Sequence, residues 1–157
     1  SGAFGRIEGT NSQFLTLAGE IPATSRASLF ATATGAHARP ESSAGLLSNW
    51  DSVLASAFAV GVRVDRLTFT FGQPLRVERA SADLTVPVAL RNDGTIATRS
   101  ERVDLAPTGR ELTAEVAYDR PLGFATLGTF LGASRQPDHV AAAPLAGSTG
   151  MRLRLAW

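Results

Sequence analysis

The chain has 157 residues, a length typical of one domain, and its formal net charge is only +1. With so little net charge, the protein has no strong overall positive potential of the kind that attracts nucleic acid. The sequence contains no cysteine, which excludes disulfides, thiolate metal sites and cysteine nucleophiles together.

Most of the chain alternates between apolar and polar residues, which is the period of a β-strand. In chain order we predict strands at residues 13–20, 26–35, about 52–62, 65–71, 110–118 and 124–134, and at the C terminus. Asn92, Asp93 and Gly94 predict the turn of a further hairpin within residues 73–108. Only residues 44–57, which are rich in alanine, leave a helix open as an alternative.

Long and short connections alternate between these strands. Short links are predicted at 21–25, 63–66 and 119–123, and longer ones at 37–50, 73–108 and 135–147. Outer-membrane barrels show this alternation. We therefore predict an all-β fold, an antiparallel up-and-down β-barrel of about 8–12 strands of the outer-membrane type. The alternative is a soluble antiparallel β-sandwich or barrel, because an apolar face that packs into a core gives the same pattern.

The final segment, "MRLRLAW", suggests an assembly signal. Met151, Leu153, Leu155 and Trp157 lie on one side of a strand, and Trp157 would suit the interface between lipid and headgroups. We predict that these four side chains form the signal that the outer-membrane assembly machinery recognises, by adding the strand to an open sheet edge.

Charged residues on the opposite side of the strands predict ion pairs in a narrow lumen. A small barrel has room for side chains but not for an open pore, so opposite charges inside it should pair. We expect Glu111 and Glu115 to meet Arg152 and Arg154.

The residues that could carry catalysis are few. His37 and His139 both lie in predicted loops without metal-ligand spacing, so we predict no metal site and no cofactor. Ser12 or Ser148 paired with His139 is a conceivable nucleophile, but no nucleophile elbow accompanies either serine. The chain is therefore not expected to be an enzyme.

Several stretches resemble the C-terminal autotransporter-type β-domain of α-proteobacterial (sphingomonad-like) subtilisin-family serine peptidases. They cover about residues 50–157 and include three distinctive motifs, which are "QPLRV" (Gln73–Val77), "LAPTGRE" (Leu105–Glu111) and "PDHVA" (Pro137–Ala141).

This resemblance implies a role in protein export. Residues 1–157 would form a single β-domain at the C-terminal end of a longer precursor, and any peptidase activity would reside in the upstream passenger. The domain would be a translocator or anchor in the bacterial outer membrane, with lipid, the assembly machinery and the covalently linked passenger as its partners. The alternative is a periplasmic or secreted β-sandwich or lipocalin-like accessory module that binds a ligand or assists folding of the peptidase.

Overall fold

The computed structural model describes residues 7–42 and 45–155, and these residues are almost entirely β-structure. No helix among them is long and apolar enough to cross a membrane. A 3-10 turn spans Pro137–His139. The strands are β1 (Ile7–Pro22), β2 (Ala27–Ser42), β3 (Leu47–Ser48), β4 (Val53–Val64), β5 (Leu67–Arg79), β6 (Ser81–Leu90), β7 (Ile96–Asp104), β8 (Leu112–Pro121), β9 (Ala125–Arg135) and β10 (Ala146–Leu155).

These strands form two antiparallel sheets, which confirms the all-β antiparallel fold. The larger sheet has seven strands in the order β1-β2-β4-β5-β8-β9-β10, and the smaller has the order β3-β6-β7. Within the larger sheet each strand lies beside the next one along the chain, so its connectivity is up-and-down. Strand β3 and the β6–β7 hairpin lie in the connections between strands of that sheet.

Connection lengths alternate as the sequence predicts. The links β1–β2, β4–β5 and β8–β9 contain four, two and three residues. The links β2–β4, β5–β8 and β9–β10 contain 10, 32 and 10 residues. Short links therefore lie at one end of the up-and-down strands and long connections at the other.

The predicted hairpin turn is confirmed between β6 and β7. Gly94 has a φ of 82°, a conformation that costs glycine nothing because it has no Cβ. Its N–H donates to the Arg91 carbonyl oxygen at 3.0 Å, and the Arg91 N–H donates to the Thr95 carbonyl oxygen at 2.8 Å. The Asp93 carboxylate accepts from the Thr95 N–H at 2.9 Å and so closes the turn from inside.

Two regions differ from the prediction. Strand β2 continues to Ser42, so His37 lies in a strand rather than in the predicted loop. There the alternation continues with its phase reversed, since polar residues (His37, Arg39 and Glu41) take the odd positions that are apolar earlier in the strand, and pairing between backbones does not depend on that phase. The alanine-rich stretch that left a helix open instead leads into strand β4. Pairing in the sheet outweighs the modest helix propensity of alanine.

The described residues group into two compact units. The loop unit lies within residues 1–15, 35–55 and 77–106, and the sheet unit within residues 16–34, 56–76 and 107–157. These units are defined by contacts and not by independent folding. The prediction of one domain over residues 1–157 therefore stays a prediction.

The loop unit is tied together at Arg102. Its guanidinium forms ion pairs with Asp51 and with Asp83, the latter at 2.9 Å. The Ser81 hydroxyl donates to Asp51 at 2.7 Å, and the Asn49 amide donates to Asp83 at 2.9 Å. Hydrogen bonds from Ser81 and Arg102 lower the pKa of Asp51, and hydrogen bonds from Asn49 and Arg102 lower the pKa of Asp83.

These lowered pKa values predict that the loop unit loses stability in acid. A carboxyl group with a depressed pKa stabilises the fold above its unfolded pKa of about 3.9 and loses that effect as the pH falls through the folded value. In a Trp157→Phe background, Trp50 is the only tryptophan, and the urea midpoint of its fluorescence should fall as the pH drops below about 4. Arg102→Gln should weaken this dependence. An identical pH profile in the variant would contradict the role of the ion pairs.

Candidate functional site

The larger sheet has an apolar face and a polar face. On the apolar face, Phe69 of β5 lies opposite Val116 of β8, which lies opposite Leu131 of β9. On the polar face, the neighbouring positions place Thr70 opposite Glu115, and Glu115 opposite Gly132. The register therefore places apolar residues of neighbouring strands on one face and polar or small residues on the other.

The last strand continues the apolar face. Met151, Leu153 and Leu155 of β10 lie opposite Thr129, Leu127 and Ala125 of β9. Met151 is 79% exposed and Leu153 is 60% exposed. The three side chains thus share one open face, as the predicted assembly signal requires. Trp157 lies outside the described residues.

In the middle strands of this sheet, exposure runs opposite to polarity, whereas β1 from residue 10 on and β10 apart from Gly150 are exposed on both faces. In β5, Leu67, Phe69 and Phe71 are exposed, whereas Thr68 and Thr70 between them are half-buried. Strand β2 shows the same inversion, since its exposed positions are Leu29, Ala31 and Ala33 and its half-buried positions are Ser28, Phe30, Thr32 and Thr34. Alanine side chains of the middle strands differ in exposure in the same direction. Ala31 and Ala114 on the apolar face are exposed, and Ala57 and Ala117 on the polar face are half-buried. A water-soluble sheet has the reverse arrangement.

The described residues contain no apolar core. The buried apolar side chains are Ala80, Ala82 and Ala125, and no large side chain is fully buried. Many large apolar side chains are exposed instead, and they need a partner phase or a partner molecule to cover them.

Two ion pairs on the polar face each reach across an intervening strand. Arg63 of β4 meets Glu20 of β1 at 2.7 Å, although β2 lies between these strands. On β2, the Ser28 hydroxyl donates to the same Glu20 carboxylate. Arg152 of β10 meets Asp119 of β8 at 3.5 Å across β9. The middle strand carries a small residue at each crossing, Ser28 in β2 and Gly128 in β9.

This arrangement corrects the predicted charge pairs. The carboxylate that Arg152 contacts is Asp119, which sequence reasoning missed, rather than Glu111 or Glu115. Glu115 shares the polar face but lies opposite Thr70 and Gly132, and Arg154 lies opposite Thr126. Glu111 precedes β8 and binds in the loops described below.

Glycines on the polar face make room for these side chains. A Cβ on Gly128 would lie 2.6 Å from the Asp119 carboxylate, so this glycine is the space through which Asp119 reaches Arg152. A Cβ on Gly150 would lie 2.5 Å from the ring of Phe130, which covers that glycine. The Gly-Thr-Phe-Leu-Gly segment of β9 (residues 128–132) therefore leaves space for side chains of the two neighbouring strands, at Gly128 for Asp119 and at Gly132 for Ser148.

The three motifs of the predicted resemblance meet in one place, which we call the motif cluster (residues 73–76, 107–111 and 136–141). Gln73, which is 2% exposed, donates to the Ser56 carbonyl oxygen at 3.2 Å and accepts from the Arg110 guanidinium. Arg76 donates to the carbonyl oxygens of Gly109 at 2.8 Å and Pro107 at 2.9 Å. Motifs that are more than 25 residues apart in the chain are thereby bound to each other.

His139 and Glu111 hold the connection between β9 and β10 in this cluster. The Glu111 N–H donates to Nδ1 of His139 at 2.9 Å, so the ring carries its proton on Nε2, which lies 3.1 Å from the Leu75 carbonyl oxygen. The Glu111 carboxylate accepts from the Ser134 hydroxyl at 2.6 Å and from the Asp138 N–H at 2.9 Å. The His139 ring and the Glu111 carboxylate thus both bind backbone groups of neighbouring segments.

The same connection has an unusual backbone. Gln136, Asp138 and His139 all have φ between 54° and 58°, which is strained for residues other than glycine. Gly109 lies against this backbone, since its N–H donates to the His139 carbonyl oxygen at 2.7 Å. A Cβ on Gly109 would lie 2.6 Å from the Ala141 nitrogen. The hydrogen bonds of the cluster therefore hold a conformation that the loop would not adopt alone.

The structure offers no support for the conceivable nucleophile. Both ring nitrogens of His139 are used in backbone contacts, and Ser148 lies in β10 opposite Gly132. Ser12 lies in β1. Over residues 7–42 and 45–155, no group of three or more His, Asp or Glu side chains could hold a metal ion.

Comparison of the chain with protein-family models, with curated protein sequences and with solved structures found no match. The resemblance to autotransporter β-domains therefore stays a prediction.

The close approach at Gly109 makes a direct prediction. Gly109→Ala should push residues 139–141 away from β8 and cost about 1–3 kcal/mol of stability, because the contacted atoms are backbone and cannot turn aside. Hydrogen exchange should show faster exchange at the Gly109, Glu111 and Asp138 amides. Gly19→Ala is the matched control, since a Cβ there meets nothing within 4 Å. Equal effects of the two variants would contradict the assigned role of Gly109.

Proposed function

We propose that this chain is the membrane-embedded β-domain of an autotransporter, a translocator or anchor that exports or displays an upstream passenger. The observation that carries this proposal is the inverted exposure of the middle strands of the larger sheet, where Phe69 and Phe71 are exposed and Thr68 and Thr70 are half-buried. An outer-membrane barrel has this arrangement, because lipid surrounds its apolar side and the lumen is polar.

Strand geometry supports the same proposal. The strands β4, β5, β8, β9 and β10 contain 10 to 13 residues, and a tilted strand needs about 9–11 residues to cross the hydrocarbon core. Backbone groups in lipid have no water to bond, so the sheet would have to close. The edge strands of the sheet are β1 and β10. For closure they would pair either with each other or with further strands of a longer precursor.

The polar face supports a stable lumen. The pairs Glu20–Arg63 and Asp119–Arg152 link strands that are not neighbours, and so they resist changes in the curvature of the sheet. In a lumen of lower dielectric constant than bulk water, such pairs gain strength. The motif cluster would hold a long connection at the end from which the passenger emerges, since longer loops of outer-membrane barrels lie outside the cell.

A substitution on each face tests the proposal. Phe69→Arg would place a charge on the lipid side and should destabilise the folded protein in vesicles by about 2–4 kcal/mol. Thr68→Arg carries the same charge on the polar face and should fold with little loss. Urea titration of refolding into phosphatidylcholine vesicles measures both. Equal tolerance of the two arginines would contradict a lipid-facing apolar side.

A second prediction concerns the assembly signal. Trp157→Ser should slow insertion into the outer membrane while leaving transport to the periplasm intact, because the aromatic end of the last strand would be recognised before the barrel closes. Cell fractionation after a pulse label separates the two steps. Arg154→Ser, on the other side of the same strand, is the control. Unchanged insertion of the Trp157 variant would remove the signal.

A second function has one observation in its favour. An open cavity of about 840 Å³ crosses five strands of the larger sheet and is lined mainly by apolar side chains, among them Leu29, Val60, Phe69, Phe71, Val116 and Leu131. Ligand pockets fall in this range of volume. A soluble lipocalin-like module would use such a cavity for an apolar ligand, and it would be monodisperse in buffer without detergent. The membrane domain would aggregate there.

A further inference from the structure

The connection between β9 and β10 depends for its conformation on one imidazole ring. Its backbone has positive φ at Gln136, Asp138 and His139, a conformation that costs free energy at residues other than glycine. Hydrogen bonds to neighbouring segments offset this cost, and the His139 ring takes part in two of them. The order of the connection therefore depends on the state of this ring.

The two contacts of the ring require its neutral form. Nδ1 of His139 accepts from the Glu111 N–H at 2.9 Å, and Nε2 donates to the Leu75 carbonyl oxygen at 3.1 Å. A protonated imidazole carries an N–H on both nitrogens and has no acceptor left. Turning the ring over changes nothing, because either nitrogen would then present an N–H to the Glu111 N–H. Protonation therefore removes one hydrogen bond and leaves the Glu111 amide facing another donor.

The charges around the ring do not favour its protonated form. The motif cluster, together with the last residue of β9, carries two carboxylates and three guanidiniums. The carboxylates are Glu111 and Asp138, and the guanidiniums are Arg76, Arg110 and Arg135. These segments thus have no excess of negative charge that would hold a further proton on His139. The hydrogen bond from the Glu111 amide is therefore the contact that decides which form of the ring fits.

We propose that the motif cluster is an acid-sensitive latch, in which protonation of His139 releases the connection between β9 and β10 from β5 and from the segment before β8. Histidine is the side chain that ordinarily gains or loses its proton between pH 5 and pH 8. The stabilisation that the neutral ring gives to the closed connection is present above that range and is lost as the pH falls through it. The positive φ angles favour release, because the open connection no longer has to maintain them.

The latch goes beyond the proposed function and does not rest on it. It consists of polar contacts within the motif cluster and does not involve the apolar face of the larger sheet. It would therefore act in a membrane domain and in a soluble module alike. In the membrane domain the long connections would lie outside the cell, so the order of this one would follow the acidity of the medium.

Amide hydrogen exchange of the full chain in detergent micelles tests the latch between about pH 7.5 and pH 5. Dividing each rate by that of an unstructured peptide at the same pH removes the intrinsic pH dependence of exchange. If only the open connection accepts the proton, and does so at the ordinary imidazole pKa of about 6.5, opening becomes about 30-fold more favourable at pH 5. Protection of the Glu111 and Asp138 amides should fall by about 10- to 30-fold. The Asp119 amide, which donates to the Arg66 carbonyl oxygen at the other end of β8, should change by less than about twofold.

Two substitutions separate His139 from other causes of pH dependence. His139→Asn places an amide oxygen near the position of Nδ1, and this oxygen accepts a hydrogen bond at every pH, so the pH dependence should disappear. His37→Gln removes the other histidine, which lies in β2, and should leave the pH dependence unchanged. The ¹⁵N chemical shifts of the wild-type His139 ring give a readout that needs no variant. They should show a proton on Nε2 alone at pH 7.5, and on both nitrogens in the range where protection falls.

Several results would overturn the latch. They are constant protection in the wild type, an equal loss of protection in His139→Asn, a pH dependence that disappears in His37→Gln, and a proton on Nδ1 of His139 at pH 7.5. An equal loss at the Asp119 amide would assign the effect to unfolding of the sheet and would also overturn it. None of these results bears on whether lipid covers the sheet, so the latch and the proposed function fail separately.

Discussion

An antiparallel sheet with one apolar face must cover that face, and the apolar side chains of the larger sheet are exposed in the described residues. Leu67, Phe69 and Phe71 remain exposed while the threonines between them are shielded. Burying apolar surface is the main favourable term in folding, at about 25 cal/mol for each Å². In the proposed function, a lipid bilayer supplies that cover.

The two ends of the up-and-down strands have different tasks. Short links of two to four residues close one end with little chain. At the other end the long connections carry ordered structure, and each is tied down by polar contacts rather than by an apolar core. Arg102 joins Asp51 to Asp83 in the loop unit, and His139 and Glu111 hold the last connection in the motif cluster. Contacts of this kind need no apolar core, which suits the proposed position of these segments outside the membrane.

Local patterns predicted the elements well because the information for them is local. The alternation of residues 65–71 is sufficient to identify β5, and Gly94 with Asp93 is sufficient to place a turn. Register and strand order are not local, and this explains the errors. The pairing of Arg152 with Asp119 depends on β9 lying between their strands and on Gly128 leaving space, which no single segment reveals. Likewise the three motifs were distinctive in the sequence, but only the topology brings Arg76, Gly109 and His139 together. The extension of β2 past His37 was missed because the polarity pattern reverses its phase after Gly35, while backbone pairing continues to Ser42.

The most direct test of the lipid-facing sheet uses the absence of cysteine from the chain. Single cysteines at positions 67 to 71 can each carry a spin label without a background signal. In bilayers, the account predicts that labels at 67, 69 and 71 are relaxed by oxygen dissolved in lipid, while labels at 68 and 70 are not. Strong relaxation at 67, 69 and 71 by a water-soluble nickel chelate, or no alternation between the two sets, would contradict it.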